Sequence, residues 1–232
     1  MRNIKKFISV ILTLTMLLGT VSLVSSAGLW KSKEISSLSF ATLSDPHYFP
    51  DSLTGNNCEA YQEYCKGSSK LYAQSEAIIR TAIETMVRRN SELKYVLIPG
   101  DLTKDSEYEA HTGLAEIFLE YEEKYGLQFI VTPGNHDINS PNASTFVNGK
   151  KEKGRPITAD EFREVYSELG YDLAYEEYAE YYTEAYKGES NDVRNKLSYV
   201  VDLDDNYRLI VLDSNIYGFG TAETANTAGE LT

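Results

Sequence analysis

Three runs of strand-forming residues, each ending in a short polar string, constrain this chain more than any other feature. Leu38 to Leu43 leads into Asp45-Pro46-His47, Tyr95 to Pro99 into Gly100-Asp101, and Gln128 to Pro133 into Gly134-Asn135-His136-Asp137. A long amphipathic stretch separates each run from the next, so the order reads strand, helix, strand, helix, strand. Strands joined by helices lie parallel, and their C-terminal ends gather on one edge of the sheet. Carboxylate, imidazole and amide side chains far apart in sequence meet there. That is the raw material of a two-metal site, and it points to hydrolysis of a phosphate ester.

The intervening segments fit an α/β chain. A helix is predicted over Leu71 to Arg89, with Leu71, Ile79, Ile83, Met86 and Val87 spaced for one apolar face. A second runs from Ser106 to Tyr125, with Leu114, Ile117, Phe118 and Tyr121 inward and Gly126 as its stop. Loops rich in small and polar residues are expected up to about Ser69 and from Asn139 to about Pro156. Ala159 to Leu169 reads as a helix capped by Asp160 or Thr158. Asp172 to Tyr186, acidic and dense in tyrosine, is expected as a helix lying over the site. Leu197 to Val201 and Tyr207 to Leu212 flank Asp204-Asp205-Asn206 as a β-hairpin.

The first residues form a targeting segment. Arg2, Lys5 and Lys6 precede apolar Phe7 to Val24, and Ser25-Ser26-Ala27 offers small residues for cleavage. The expectation is a signal peptide over 1–27, a linker over 28–37 and one domain over 38–232, secreted or otherwise extracytoplasmic. An uncleaved segment would instead anchor the chain and give transient membrane contact. The chain stops at Gly229-Glu230-Leu231-Thr232, directly after a strand and a loop. It is expected to be an N-terminal fragment.

Of 22 basic residues three lie in the signal, leaving 19 against 35 acidic ones, a balance of −16. That disfavours an extended nucleic-acid or anionic-membrane surface and leaves a small phosphate-ester substrate. Cys58 and Cys65 are the two cysteines. A local disulfide is one reading and free thiols the other; a metal pair is weaker, because no histidine lies nearby.

Two divalent ions about 4 Å apart can clamp a phosphoryl group, and holding them that close needs a shared anionic ligand. Asp101 is the candidate bridge, and Gly100 lets the backbone approach without a side chain. Asp45 and His47, one residue apart, can reach one ion from a single strand end. Asn135 offers a neutral carbonyl oxygen to the second ion. His136 is better placed to give a proton to the leaving oxygen, with Asp137 or Asp105 as the acidic partner that orients it. Mixed oxygen and nitrogen ligands suit Mn, Fe or Zn better than Ca. His111, within the second helix, is expected to be packed or exposed, with a substrate-facing role as the minor option.

These motifs resemble those of the calcineurin-like metallophosphoesterase superfamily: D-x-H, then G-D, then G-N-H-[DE]. Gly-Asp-Leu-Thr-Lys-Asp at 100–105, Asn-Ser-Pro-Asn at 139–142 and Leu-Asp-Ser at 212–214 are similar to secreted bacterial members. The resemblance implies a four-layer α/β/β/α sandwich, two divalent metals, and hydrolysis of phosphomonoesters or diesters. It implies Asp45 and His47 on the first metal, Asp101 bridging, Asn135 on the second, and His136 as catalytic acid or phosphate ligand. The family's later lone His and G-H-x-H string have no counterpart here, since His47, His111 and His136 are the only histidines. The C-terminal part of the sandwich is therefore expected to be missing, and this fragment alone to be weak or inactive. The tyrosine that follows Gly-Asp in purple acid phosphatases is also missing, as Leu102-Thr103 stands there. The alternative function is an inactive phosphoesterase-like binding module at the cell surface.

Overall fold

In the computed structural model, which describes residues 37–177, 197–217 and 225–226, the three runs become strands β1 (Phe40–Thr42), β2 (Tyr95–Pro99) and β3 (Gln128–Thr132). They pair in parallel in the order β1-β2-β3, with Phe40 opposite Tyr95 and Tyr95 opposite Gln128. Helices α1 (Glu59–Lys66) and α2 (Ser75–Arg89) lie between β1 and β2, and α3 (Tyr108–Tyr125) between β2 and β3. Gly126 ends α3 in the left-handed conformation, φ 67°, and its amide caps the Glu122 carbonyl.

Alternation along β3 sorts its side chains between two faces. Phe129 stacks on Phe118 of α3 with ring centroids 4.5 Å apart, a pair that contributes about 1 kcal/mol beyond its buried area. Ile130 turns to the opposite face, against the Gly170 turn. There the backbone passes so close that a Cβ on Gly170 would stand 3.1 Å from Ile130 Cα.

A second sheet, β6-β7-β8, is antiparallel and is built from β6 (Ala174–Glu177), β7 (Tyr199–Asp202) and β8 (Arg208–Val211). Two tyrosine hydroxyls fasten it to the first. Tyr95 donates to the Leu203 carbonyl at 2.5 Å, and Tyr199 donates to the Val131 carbonyl at 2.6 Å. The β7–β8 connection is the hairpin expected at Asp204-Asp205-Asn206, where Asp204 Oδ1 accepts the amides of Asn206 and Tyr207. Beyond it, β9 (Ile216–Tyr217) pairs with β10 (Ala225–Asn226).

Both expected loops carry structure. The first contains α1, whose Tyr61 meets Phe146 edge-on at 5.2 Å. Phe146 belongs to a hairpin, β4 (Ser144–Val147) and β5 (Lys150–Lys153), inside the second. Its turn is Asn148-Gly149, both at positive φ (50° and 75°), as a two-residue hairpin of this type requires. The fourth helix, α4 (Ala159–Val165), is shorter than expected and is capped by Thr158, not Asp160. Thr158 and Glu161 exchange the two bonds of a capping box.

The acidic stretch after Asp172 is not a helix where it is described: a turn at Tyr171–Leu173 leads straight into β6, and residues 178–186 lie outside the described residues. Cys58 stands at the N-cap position of α1 and Cys65 near its end, both as free thiols. Seven residues of helical rise, about 10 Å, hold them beyond the reach of a bridge. The signal segment and linker fall on residues 1–36, outside the description except for Ser37. Among the described residues, no helix is long and apolar enough to cross a membrane.

Candidate metal centre

The chain leaves β1 and runs on beside the end of β2, bonded to it residue by residue. Asp45 N donates to Gly100 O at 3.3 Å, His47 N to Asp101 O at 3.1 Å, and Tyr48 N to Leu102 O at 2.9 Å. Asp45 (φ 55°), His47 (φ 41°) and Asp101 (φ 51°) all sit in the left-handed region. Such a conformation costs a non-glycine residue roughly 1–3 kcal/mol, and it persists only where the surroundings enforce it. Here it turns three side chains to one point.

His47 Nε2 lies 4.0 Å from Asp45 Oδ1 and 3.6 Å from Asp101 Oδ2. One donor atom from each residue falls within 4.8 Å of the other two. Two carboxylates and an imidazole at that spacing fit a borderline divalent cation. His47 Nδ1 is 3.3 Å from the Thr103 carbonyl, which can only accept, so Nδ1 carries the hydrogen and Nε2 presents its lone pair. Burial, then the Lys70 ammonium, lowers the His47 pKa, which favours the neutral, ligating ring.

Two glycines let the β2 and β3 ends approach. A Cβ on Gly100, itself at φ 91°, would stand 2.8 Å from Gly134 Cα. A Cβ on Gly134 would collide with Asp101's own amide and carboxylate. That contact brings the Gly134-Asn135-His136 turn against Asp101, whose Oδ1 accepts the His136 amide at 3.1 Å. Asn135 is thereby placed beside Asp101 by its backbone neighbours.

Asp105, not Asp137, meets the His136 ring. His136 Nδ1 stands 2.9 Å from both Asp105 Oδ1 and the Lys104 carbonyl. Both are acceptors, so Nδ1 donates and the tautomer is fixed. The Asp105 hydrogen bond raises the His136 pKa against burial. Burial alone would push Asp105 up, but the His136 bond and the Lys104 ammonium outweigh it and hold the carboxyl below its usual range. The His136 ring meets His47 edge-on, with centroids 5.1 Å apart.

Asp137 is occupied elsewhere. Its carboxylate accepts the amides of Leu102 (3.0 Å), Thr103 (2.9 Å) and Gly134 (2.7 Å), and the Thr103 hydroxyl. It is a clamp that locks the β2 end to the β3 end. Burial pushes its carboxyl up to about 7, while the three amides pull it back. Every one of these partners donates, so the pocket suits the carboxylate form.

Three polar residues that carry the site were not singled out in the sequence, although Thr103 and Lys104 lie within the Gly-Asp-Leu-Thr-Lys-Asp string. Lys104 is fully buried, and its ammonium donates to Asp105 Oδ2 (2.5 Å), Glu107 Oε1 (3.1 Å) and Ser144 Oγ (3.0 Å). Buried lysine needs paired charge of this kind, and a lysine followed by two acids in one short string, Lys-Asp-Ser-Glu, is the signal that could have marked it. Thr103 bonds Asp137 and His111 through one hydroxyl. Lys70, in the loop after α1, reaches the His47 ring: its Nζ is 3.2 Å from Nδ1 and closer still to Nε2. Nothing in its sequence neighbourhood distinguishes it.

His111 is packed, as expected. Nε2 donates to the Asp137 carbonyl at 3.0 Å, and Nδ1 accepts the Tyr166 hydroxyl at 2.9 Å. Burial depresses its pKa to about 3, so it stays neutral and holds the clamp's underside.

With this arrangement in view, the comparison with known families is decisive: the profile of the calcineurin-like phosphoesterases matches residues 38–218. The chain belongs to that family. No individual curated protein matches it. Calcineurin-like phosphoesterases act on phosphoric esters and typically hold divalent metals, and the Asp45–His47–Asp101 group is this member's candidate metal-binding group.

Proposed function

We propose that the protein hydrolyses phosphomonoesters or phosphodiesters outside the cytoplasm, with two divalent cations, Mn, Fe or Zn, in a four-layer α/β/β/α sandwich. The observation that carries this reading is the Asp105–His136 hydrogen bond beside the Asp45–His47–Asp101 cluster, an oriented proton donor next to a cation pocket. Bound cations would polarise the phosphoryl group and lower the pKa of the attacking water.

Asp45 and His47 would hold the first cation, Asp101 would be shared with the second, and Asn135 would offer the second a neutral oxygen. His136 Nδ1 is committed to Asp105 and the Lys104 carbonyl, so Nε2 is the nitrogen left to act on substrate. In its protonated form Nε2 gives its hydrogen to the leaving alkoxide, and Asp105 stabilises the charged ring. Asp137 serves by position, fixing the two strand ends at the distance the cluster needs.

The test is metal-dependent hydrolysis of p-nitrophenyl phosphate and its bis-ester by the full-length protein. Wild type turns over one or both with added Mn, and His136→Ala loses about 10²–10⁴ in kcat. Equal rates with and without His136 would remove it from the chemistry.

A further inference from the structure

Lys70 belongs to no metal-ligand motif, yet its side chain ends in the cation pocket. The segment that carries it is fixed at both sides. Its own amide donates to Ser68 Oγ at 3.1 Å, and Tyr72, two residues on, is buried and stacked on Tyr64 of α1 at 6.0 Å. The ammonium donates to His47 Nε2, the lone pair that faces Asp45 and Asp101. Other cations near the site are bound to protein partners: Lys104 to Asp105 and Glu107, and Lys151 over the Tyr64 ring. Among the described residues, Lys70 is the cationic head that touches the cluster.

An ammonium and a divalent ion cannot share one lone pair. A cation that takes His47 Nε2 displaces Lys70, while the tether keeps its charge at the rim of the pocket. Two cationic centres that close repel unless an anion lies between them. A phosphate ester is such an anion, and each of its peripheral oxygens accepts a charge-assisted hydrogen bond from an ammonium.

We infer that Lys70 is a substrate-binding residue, which gives up His47 to the metal and takes an oxygen of the substrate phosphate. The inference rests on the phosphoesterase reading above. In this role Lys70 selects for the phosphoryl group and not for the alcohol it esterifies, so it acts on monoesters and diesters alike.

Calorimetric titration of Mn, then of inorganic phosphate into the Mn-loaded full-length protein, tests it in wild type, Lys70→Met and Lys70→Arg. Lys70→Met should bind Mn as tightly as wild type or tighter, because its competitor is gone. Its phosphate affinity should fall about tenfold or more, and Lys70→Arg should recover most of it. Undiminished phosphate affinity in Lys70→Met overturns the inference. So does a loss of phosphate that merely tracks a loss of Mn, which would make Lys70 a prop for the ligands. Failure of the phosphoesterase reading looks different: wild type itself then takes up no Mn, and Lys70 loses its role with it.

Discussion

The pocket formed by Asp45, His47 and Asp101 and the chain of contacts from His136 through Asp105 to Lys104 lie side by side, yet they are built on opposite terms. The relay is saturated with hydrogen bonds and buried at its Lys104 end. Lys104 is wholly buried with three oxygen partners, and Glu107 also accepts the Asp105 and Ser144 amides. The pocket is strained, and open on its Asp45 side: that side chain is 61% exposed, and all three residues sit at positive φ. A network already complete holds one protonation state and one ring orientation. Donor atoms gathered at a conformational cost, with lone pairs facing a common point, are completed by something else. Under the proposed function, the contrast would separate proton transfer from cation binding within a few ångströms.

The sharpest break of that contrast is Asp101→Asn, since Asp101 belongs to the pocket and also receives the His136 amide. Hydrolysis should fall on the order of 10³-fold. Mn affinity should drop by more than the 10–100-fold (roughly) that loss of an outer partner causes, as read by calorimetry. Lys104→Met attacks the relay instead. It strands the Asp105 and Glu107 carboxylates in the interior and should lower unfolding free energy by about 3–5 kcal/mol in urea denaturation.

Asp105→Asn is gentler and more discriminating. It should lower kcat roughly 10²-fold while leaving Mn affinity within about twofold, because no cluster ligand is touched. A parallel loss of Mn binding would mean the two regions are one. The smallest effect is on acid stability. The Asp105 carboxyl is held below its ordinary 3.8, so its contribution is full above that value and fades as pH falls through the lower folded value. Asp105→Asn should flatten that acid limb of a Tm-against-pH curve and leave the neutral range alone.

The parallel core was readable because its signals are local: β2 has the bounds of its run, β3 ends one residue before Pro133, and Gly126 ends α3 where expected. The pocket residues were readable because strand ends converge by topology, whatever packs around them. The choice between Asp105 and Asp137 was not, since both lie within reach of His136 in sequence and only the fold assigns Asp137's oxygens to backbone amides. Asn148-Gly149 did carry a hairpin signal, but the all-polar Lys150–Lys153 strand lacks the alternation that usually accompanies it. Helix α1 escaped because eight residues are too few for a periodic pattern to stand out. Lys70 escaped for a deeper reason: its partner is twenty-three residues away, and only the folded loop brings them together.

Anomalous diffraction from Mn-soaked crystals tests the central claim most directly. A Mn peak about 2.2 Å from an Asp45 oxygen, His47 Nε2 and an Asp101 oxygen, with His136 still bonded to Asp105, is the predicted result. A peak on His136, or Mn bound away from this cluster, would contradict it.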